Sequence, residues 1–68
     1  MTLYFTAATN LEANQFNQLI DDEGFHAEWD VRTGTFSFEE DEDTIDELEM
    51  ALTQIIDANE INGHFEAL

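Results

Sequence analysis

Carboxylates are the most chemically capable side chains in this sequence, and they are concentrated in one stretch. The run Glu39–Asp43 is entirely acidic, and Asp46, Glu47 and Glu49 follow closely, with no Lys or Arg among them. Carboxylates can act as general acids and bases, bind cations, or pair with the Lys and Arg side chains of a partner. The surrounding residues decide between these three roles.

Catalysis has little support in the residue pattern. General acid–base work needs one carboxylate of a pair to be desolvated, and acids that flank a strand end and a helix start are typically solvated. The two histidines, His26 and His64, are predicted at outward-facing strand positions, and no Ser or Thr lies in a glycine-rich nucleophile elbow. We therefore predict that the chain is not an enzyme.

Two patterns resemble metal sites, and both are incomplete. The stretch 41–46 begins like a calcium loop, but Ile45 occupies a ligand position and the turn-forming glycine is missing. His26, Glu28 and Asp30 alternate along one predicted strand, as is usual on a solvated sheet face. The chain has no Cys, and therefore no thiolate ligand or disulfide. The sequence predicts no metal and no cofactor.

The net charge restricts the possible partners. Seventeen acidic residues against one basic residue give a net charge of −16. Such a chain repels nucleic acid and anionic membranes, so the expected partner is a basic protein, with no direct nucleic acid and no membrane. No apolar run approaches the ~20 residues that span a bilayer, and the N-terminus lacks the basic start of a signal peptide. The expected location is the cytoplasm.

Length and hydrophobic content indicate one folded domain over residues 1–68. The chain is 43% hydrophobic and contains six Phe and one Trp, which is unlike disordered acidic sequences. Two capping boxes, Thr9 with Glu12 and Thr44 with Glu47, mark helix starts, and Gly24 marks a helix end. The periodicity predicts strands over 2–7, 25–32, 35–39 and 64–68, and helices over 10–23 and 44–58.

The two middle strands are predicted to form a hairpin. A two-residue loop at Thr33-Gly34 would place Val31 opposite Phe36 on the inner face. The same register would place Glu28 opposite Glu39 on the outer face. Like charges in a cross-strand pair oppose folding. A pair kept at that cost would suggest that these two carboxylates have a functional role.

The order β-α-β-β-α-β predicts an α+β, ferredoxin-like split βαβ domain. In that arrangement both helices cover one face of a four-stranded antiparallel sheet with the order 4-1-3-2. The stretch Arg32–Glu39 resembles the third-strand RNA-stacking motif of RRM domains, which share this element order. It lacks the Gly-Phe core and the basic companions of that motif, and alternation buries Phe36 and Phe38, so RNA binding is rejected.

A solvated loop and helix face would explain the acidic run, but hardly the excess of sixteen acidic residues over the whole chain. Mimicry of nucleic acid would explain that excess. Duplex DNA carries one negative charge per ~1.7 Å of axis. A helix that rises ~1.5 Å per residue can present rows of carboxylates at a comparable density. In size, charge and compact α/β fold, the chain resembles the small acidic DNA-mimic inhibitors of phages and mobile elements, which include anti-CRISPR and anti-restriction proteins.

That resemblance implies a stoichiometric inhibitor, a phage protein that acts in the host cytoplasm by protein–protein interaction. Its partner would be a basic nucleic-acid-binding protein or complex, and the chain would act as a monomer or homodimer. An alternative is a salt-adapted domain whose acidity maintains solubility. The predicted partner-binding residues are the acidic run with its helical extension, and a second patch on the outer sheet face: Glu28, Asp30, Glu39, Glu40, Asp41, Glu42, Asp43, Asp46, Glu47 and Glu49.

Overall fold

A computed structural model describes all residues, 1–68, and shows two helices and one four-stranded sheet. The strands lie in the order β2-β3-β1-β4, and each neighbouring pair is antiparallel. The predicted α+β domain with a four-stranded antiparallel sheet and two helices is therefore confirmed. The elements in chain order are β1 Thr2–Ala7, α1 Asn10–Asp22, β2 Glu28–Asp30, β3 Thr35–Glu39, α2 Ile45–Ala58 and β4 Gly63–Ala67.

Helix α1 has well-defined ends. At its start the hydroxyl oxygen of Thr9 accepts a hydrogen bond from the backbone N–H of Glu12 at 3.1 Å. The other half of the predicted capping box differs, because the Glu12 carboxylate accepts from the Thr9 hydroxyl and from the backbone N–H of Asn62. At its end, Gly24 has φ +82° and the N–H of Phe25 donates to the carbonyl of Ile20. This is the Schellman termination that a glycine at this position favours.

The second capping box is not formed. Thr44 precedes α2 but makes no side-chain bond to the helix backbone. Its hydroxyl lies 3.1 Å from a carboxylate oxygen of Glu40 and 3.2 Å from the carbonyl of Asp41, to both of which it donates. The Thr44 side chain thus binds the acidic segment before the helix.

The core lies between one face of the sheet and both helices. Phe16 of α1 is at its centre, with ring centroids 4.4 Å from Phe5, 4.8 Å from Phe36 and 6.4 Å from Phe38. Leu11 is 78% exposed, so Ala13 takes the inner position at the start of the helix. The buried residues are Leu3, Phe5, Ala7, Ala13, Phe16, Ile20, Phe36, Phe38, Ile45, Leu48, Leu52, Ile56 and Ile61.

The predicted hairpin register is wrong. Trp29, rather than Val31, lies opposite Phe36, and Glu28 lies opposite Ser37 instead of Glu39. Val31 is 65% exposed in the turn instead of buried in a strand. The predicted like-charge pair does not exist, so the hairpin gives no indication of a use for the charge.

A four-residue turn causes this change of register. The carbonyl of Asp30 accepts hydrogen bonds from the N–H groups of Thr33 and Gly34, and an oxygen of its carboxylate accepts from the N–H of Arg32 at 3.1 Å. Gly34 has φ +70°, a conformation that glycine adopts without steric cost. The turn therefore begins immediately after Asp30, and β2 is only three residues long.

Candidate functional site

The sheet brings several strand ends together at one end of the molecule. Because β1 is antiparallel to both of its neighbours, β3 and β4 finish where β1 begins. Thr2 and Leu68 exchange backbone hydrogen bonds of 3.1 and 3.0 Å, and the N–H of Glu40 donates to the carbonyl of Met1 at 3.1 Å. Strand β2 also starts at this end, since Glu28 lies opposite Ser37 of β3.

The helix termini add further acidic residues to this end. Helix α1 starts just after β1 and runs back across the sheet, so Asp21, Asp22 and Glu23 come close to the start of β2. Helix α2 starts just after β3 and carries Asp46 and Glu47 in its first turn. We call this surface the acidic end, and it comprises Asp21, Asp22, Glu23, Glu28, Glu39, Glu40, Asp41, Glu42, Asp43, Asp46, Glu47 and Glu66.

The acidic run bends instead of continuing β3 in a straight line. The carbonyl of Asp41 accepts from the N–H groups of Thr44 and Ile45, both at 3.0 Å, so the chain already turns toward α2 there. The N-terminal amine of Met1 donates to the carbonyl of Glu40 at 3.0 Å. These bonds fix the backbone of the run to β1 and to the start of α2.

The carboxylates of the acidic end are unpaired. The only ion pair in the structure joins Nε of Arg32 to a carboxylate oxygen of Asp30 at 3.9 Å, in the turn at the other end of the sheet. Every member of the acidic end is exposed. The domain also contains no buried polar or charged residue that would neutralise these carboxylates from inside. The acidic end is therefore available to cations of a partner.

Two of the predicted site residues lie outside the acidic end. Glu49 is half-buried on the second turn of α2, and Asp30 is held in the Arg32 turn, so neither belongs to the acidic end. Glu28 and Glu66 lie on the outer sheet face, in one row across the four strands with Ser37 and Tyr4 between them. The predicted second patch is thus divided, because Glu28 joins the acidic end and Asp30 does not.

The outer face next to this row is polar and slightly concave. A depression of about 470 Å³ is lined by Thr2, Tyr4, His26, Ala27, Glu28, Ser37 and Glu39. His26 lies before β2 and not within it, because that strand is shorter than predicted. No group of three or more His, Asp or Glu side chains is arranged to hold a metal ion.

The sequence prediction missed four members of the acidic end: Asp21, Asp22, Glu23 and Glu66. For the first three, local sequence indicates only that they lie at the end of a helix. The predicted element order already indicates where these three residues lie. A helix between the parallel strands β1 and β2 must return the chain to the end of the sheet at which β2 starts. Strand order similarly places the end of β4 beside the start of β1.

No protein-family model matches the chain, and no curated protein or solved structure shows significant similarity to it. Neither helix has the length and apolar character needed to cross a membrane.

Proposed function

We propose that the chain is a non-enzymatic nucleic-acid mimic of the anti-CRISPR and anti-restriction class. It would occupy the basic DNA-binding groove of a host defence complex, either a CRISPR effector or a restriction enzyme, in the cytoplasm of the host cell. The observation that carries this proposal is the acidic end. There, strand ends, a connecting turn and two helix termini present exposed carboxylates without cationic partners.

Electrostatics favour this kind of target. A groove that holds duplex DNA gains most of its affinity from Lys and Arg contacts to phosphates, and those side chains can pair with carboxylates instead. Backbone hydrogen bonds hold the acidic run to β1 and α2, so less conformational entropy is lost on binding than for a disordered acidic tail. Complementary charge should also make association fast and dependent on salt.

We also propose that the fold is the ferredoxin-like split βαβ arrangement. The support is the strand order β2-β3-β1-β4 and the common core that one sheet face forms with both helices. In this arrangement each helix connects two parallel strands with one strand between them, and the two pairs run in opposite directions. Right-handed crossovers then place both helices on the same face of the sheet. The acidic end is then a product of the topology, because it gathers the chain ends of four strands and two helices.

Displacement of DNA tests the proposal. A labelled duplex bound to purified CRISPR effectors and restriction endonucleases is titrated with the chain, and fluorescence anisotropy is recorded at several salt concentrations. We expect at least one member of the panel to release the duplex at near-stoichiometric amounts of the chain. The inhibition should weaken as salt rises. Duplex retained by every member at low salt would refute the proposal for these two classes.

Salt adaptation is the second candidate, favoured by acids outside the acidic end. Asp57 and Glu60 are exposed near the end of α2, and Arg32 is the only basic side chain in the chain. A domain that needs screening to fold should unfold at ~0.1 M salt, where the Debye length is about 10 Å, and fold at molar salt. We expect instead a cooperative thermal transition already at ~0.1 M, measured by circular dichroism. Folding only at molar salt would favour the adapted domain.

A further inference from the structure

A groove of about 430 Å³ lies between the two helices and is lined by residues of both and by Phe25, which follows α1. Its apolar lining comes from Leu19 and Phe25 on one side and from Ala51, Ile55 and Ala58 on the other. Leu19, Phe25 and Ile55 are half-buried and continuous with the core. The volume lies within the ~300–1,000 Å³ of typical small-ligand sites.

Local sequence explains why the helices leave this space. Ala51 and Ala58 are seven residues apart on α2, so they lie on the same face two turns apart. Their methyl groups cannot fill the distance to α1. On the other side, the Schellman turn at Gly24 directs Phe25 back against the end of α1, where it forms one wall of the groove.

The rim of the groove is anionic and polar. Asp22 and Glu23 contribute to it from the end of α1, and Gln54 and Asn59 contribute from α2. The last turn of α1 contains no basic residue, so acids lie at the negative end of the helix dipole, where they are locally unfavourable. A cation placed beside Asp22 and Glu23 would interact favourably with both carboxylates and with the dipole.

This combination of an apolar floor and an anionic rim defines the chemistry of the occupant. An uncharged apolar ligand would leave the rim unused, and a purely cationic segment would leave the floor exposed to water. A basic amphipathic segment satisfies both, because an aliphatic or aromatic side chain can enter the groove while adjacent Lys or Arg residues reach the carboxylates. Buried apolar anchors of this type commonly dominate protein interfaces.

We propose that the groove between the helices binds one apolar side chain of a basic segment of the partner, with a flanking Lys or Arg on Asp22 and Glu23. The inference rests on the proposed function, since Asp22 and Glu23 also belong to the acidic end and the segment would belong to the same basic target. It adds a hydrophobic contact that pure charge mimicry does not contain.

Two designed peptides of equal charge test this proposal. One is a helix-forming peptide with Leu on one face and Lys on the other, and the second has Ser in place of each Leu. We expect the Leu/Lys peptide to bind about tenfold more tightly by titration calorimetry. Amide NMR shifts should then be largest at Ala51, Ile55 and Phe25. Equal affinity for the two peptides, or shifts confined to the acidic run, would overturn the groove assignment.

A matched pair of variants locates the contact. Ala58→Phe should fill the groove and remove the preference for the Leu/Lys peptide, because Ala58 is exposed at the edge of the groove. Ala67→Phe adds the same ring at an exposed position on β4 and should retain the preference. A preference that survives Ala58→Phe, with an unchanged circular dichroism spectrum, would also overturn the groove assignment. The DNA displacement assay reports on the proposed function separately, because displacement could persist without any peptide preference.

Discussion

Replacing Glu42 and Asp43 with Lys is expected to weaken displacement of duplex DNA from the target by at least about tenfold. Close charge pairs at interfaces have coupling free energies of about 1.5–7 kcal/mol, and tenfold in affinity corresponds to about 1.4 kcal/mol. Both residues are exposed in the turn between β3 and α2, and neither side chain makes a hydrogen bond within the domain. The measurement is the midpoint of displacement at fixed salt.

The matched control adds the same four units of positive charge at exposed positions away from both proposed contact surfaces, as Gln15→Lys, Val31→Lys, Thr33→Lys and His64→Lys. Val31, Thr33 and His64 lie at the end of the sheet opposite the acidic end, and none of the four residues lines the groove between the helices. Exposed charges are screened beyond a Debye length of about 8 Å at physiological salt, so the control should change the midpoint by less than about threefold. Equal loss in both variants would show that total charge matters and that the acidic end has no special role.

Phe16→Ala is expected to reduce the free energy of unfolding by about 3–5 kcal/mol, the usual cost of removing a buried aromatic side chain. Phe16 is fully buried and contacts three other rings that come from β1 and β3. A domain of 68 residues has a total stability of roughly 3–10 kcal/mol. The variant should therefore be largely unfolded in mild denaturant, as measured by urea titration of the far-ultraviolet circular dichroism.

Leu11→Ala provides the comparison within the same helix. Leu11 is 78% exposed, and Ala has a higher helix propensity, so stability should change by less than about 0.5 kcal/mol. If the two substitutions proved equally destabilising, the orientation of α1 described above would be wrong.

Most helices and strands were predictable because their hydrophobic residues recur at a regular helical or strand spacing. Strand β1 and both helices match the predicted spans to within a residue, since alternation defines the strand and the 3.6-residue period defines each helix. The hairpin was not predictable from alternation, because Val31 continues the pattern although it belongs to the turn. The better signal was Asp30, whose side chain can accept a hydrogen bond from a backbone N–H two residues later and so begin a turn.

The candidate site was predictable only in part, for a physical reason. Local sequence identifies a run of carboxylates such as Glu39–Asp43, and it places Asp46 and Glu47 in the first turn of a helix. It does not show which distant acids join them, because that depends on the sheet order and on the directions of the helices. Glu66 is brought to the same surface by the pairing of β4 with β1. The groove between the helices depends on side-chain packing and had no sequence signal of its own.

The pairing of Thr2 with Leu68 has a practical consequence for anyone handling this protein. An affinity tag or fluorescent fusion attached at Met1 or at Leu68 would emerge beside the carboxylates and could shield them from a target. An insertion within residues 31–34 would project from the other end of the sheet. Labels placed in that turn should report binding faithfully, whereas terminal labels would give false negatives in screens for the target.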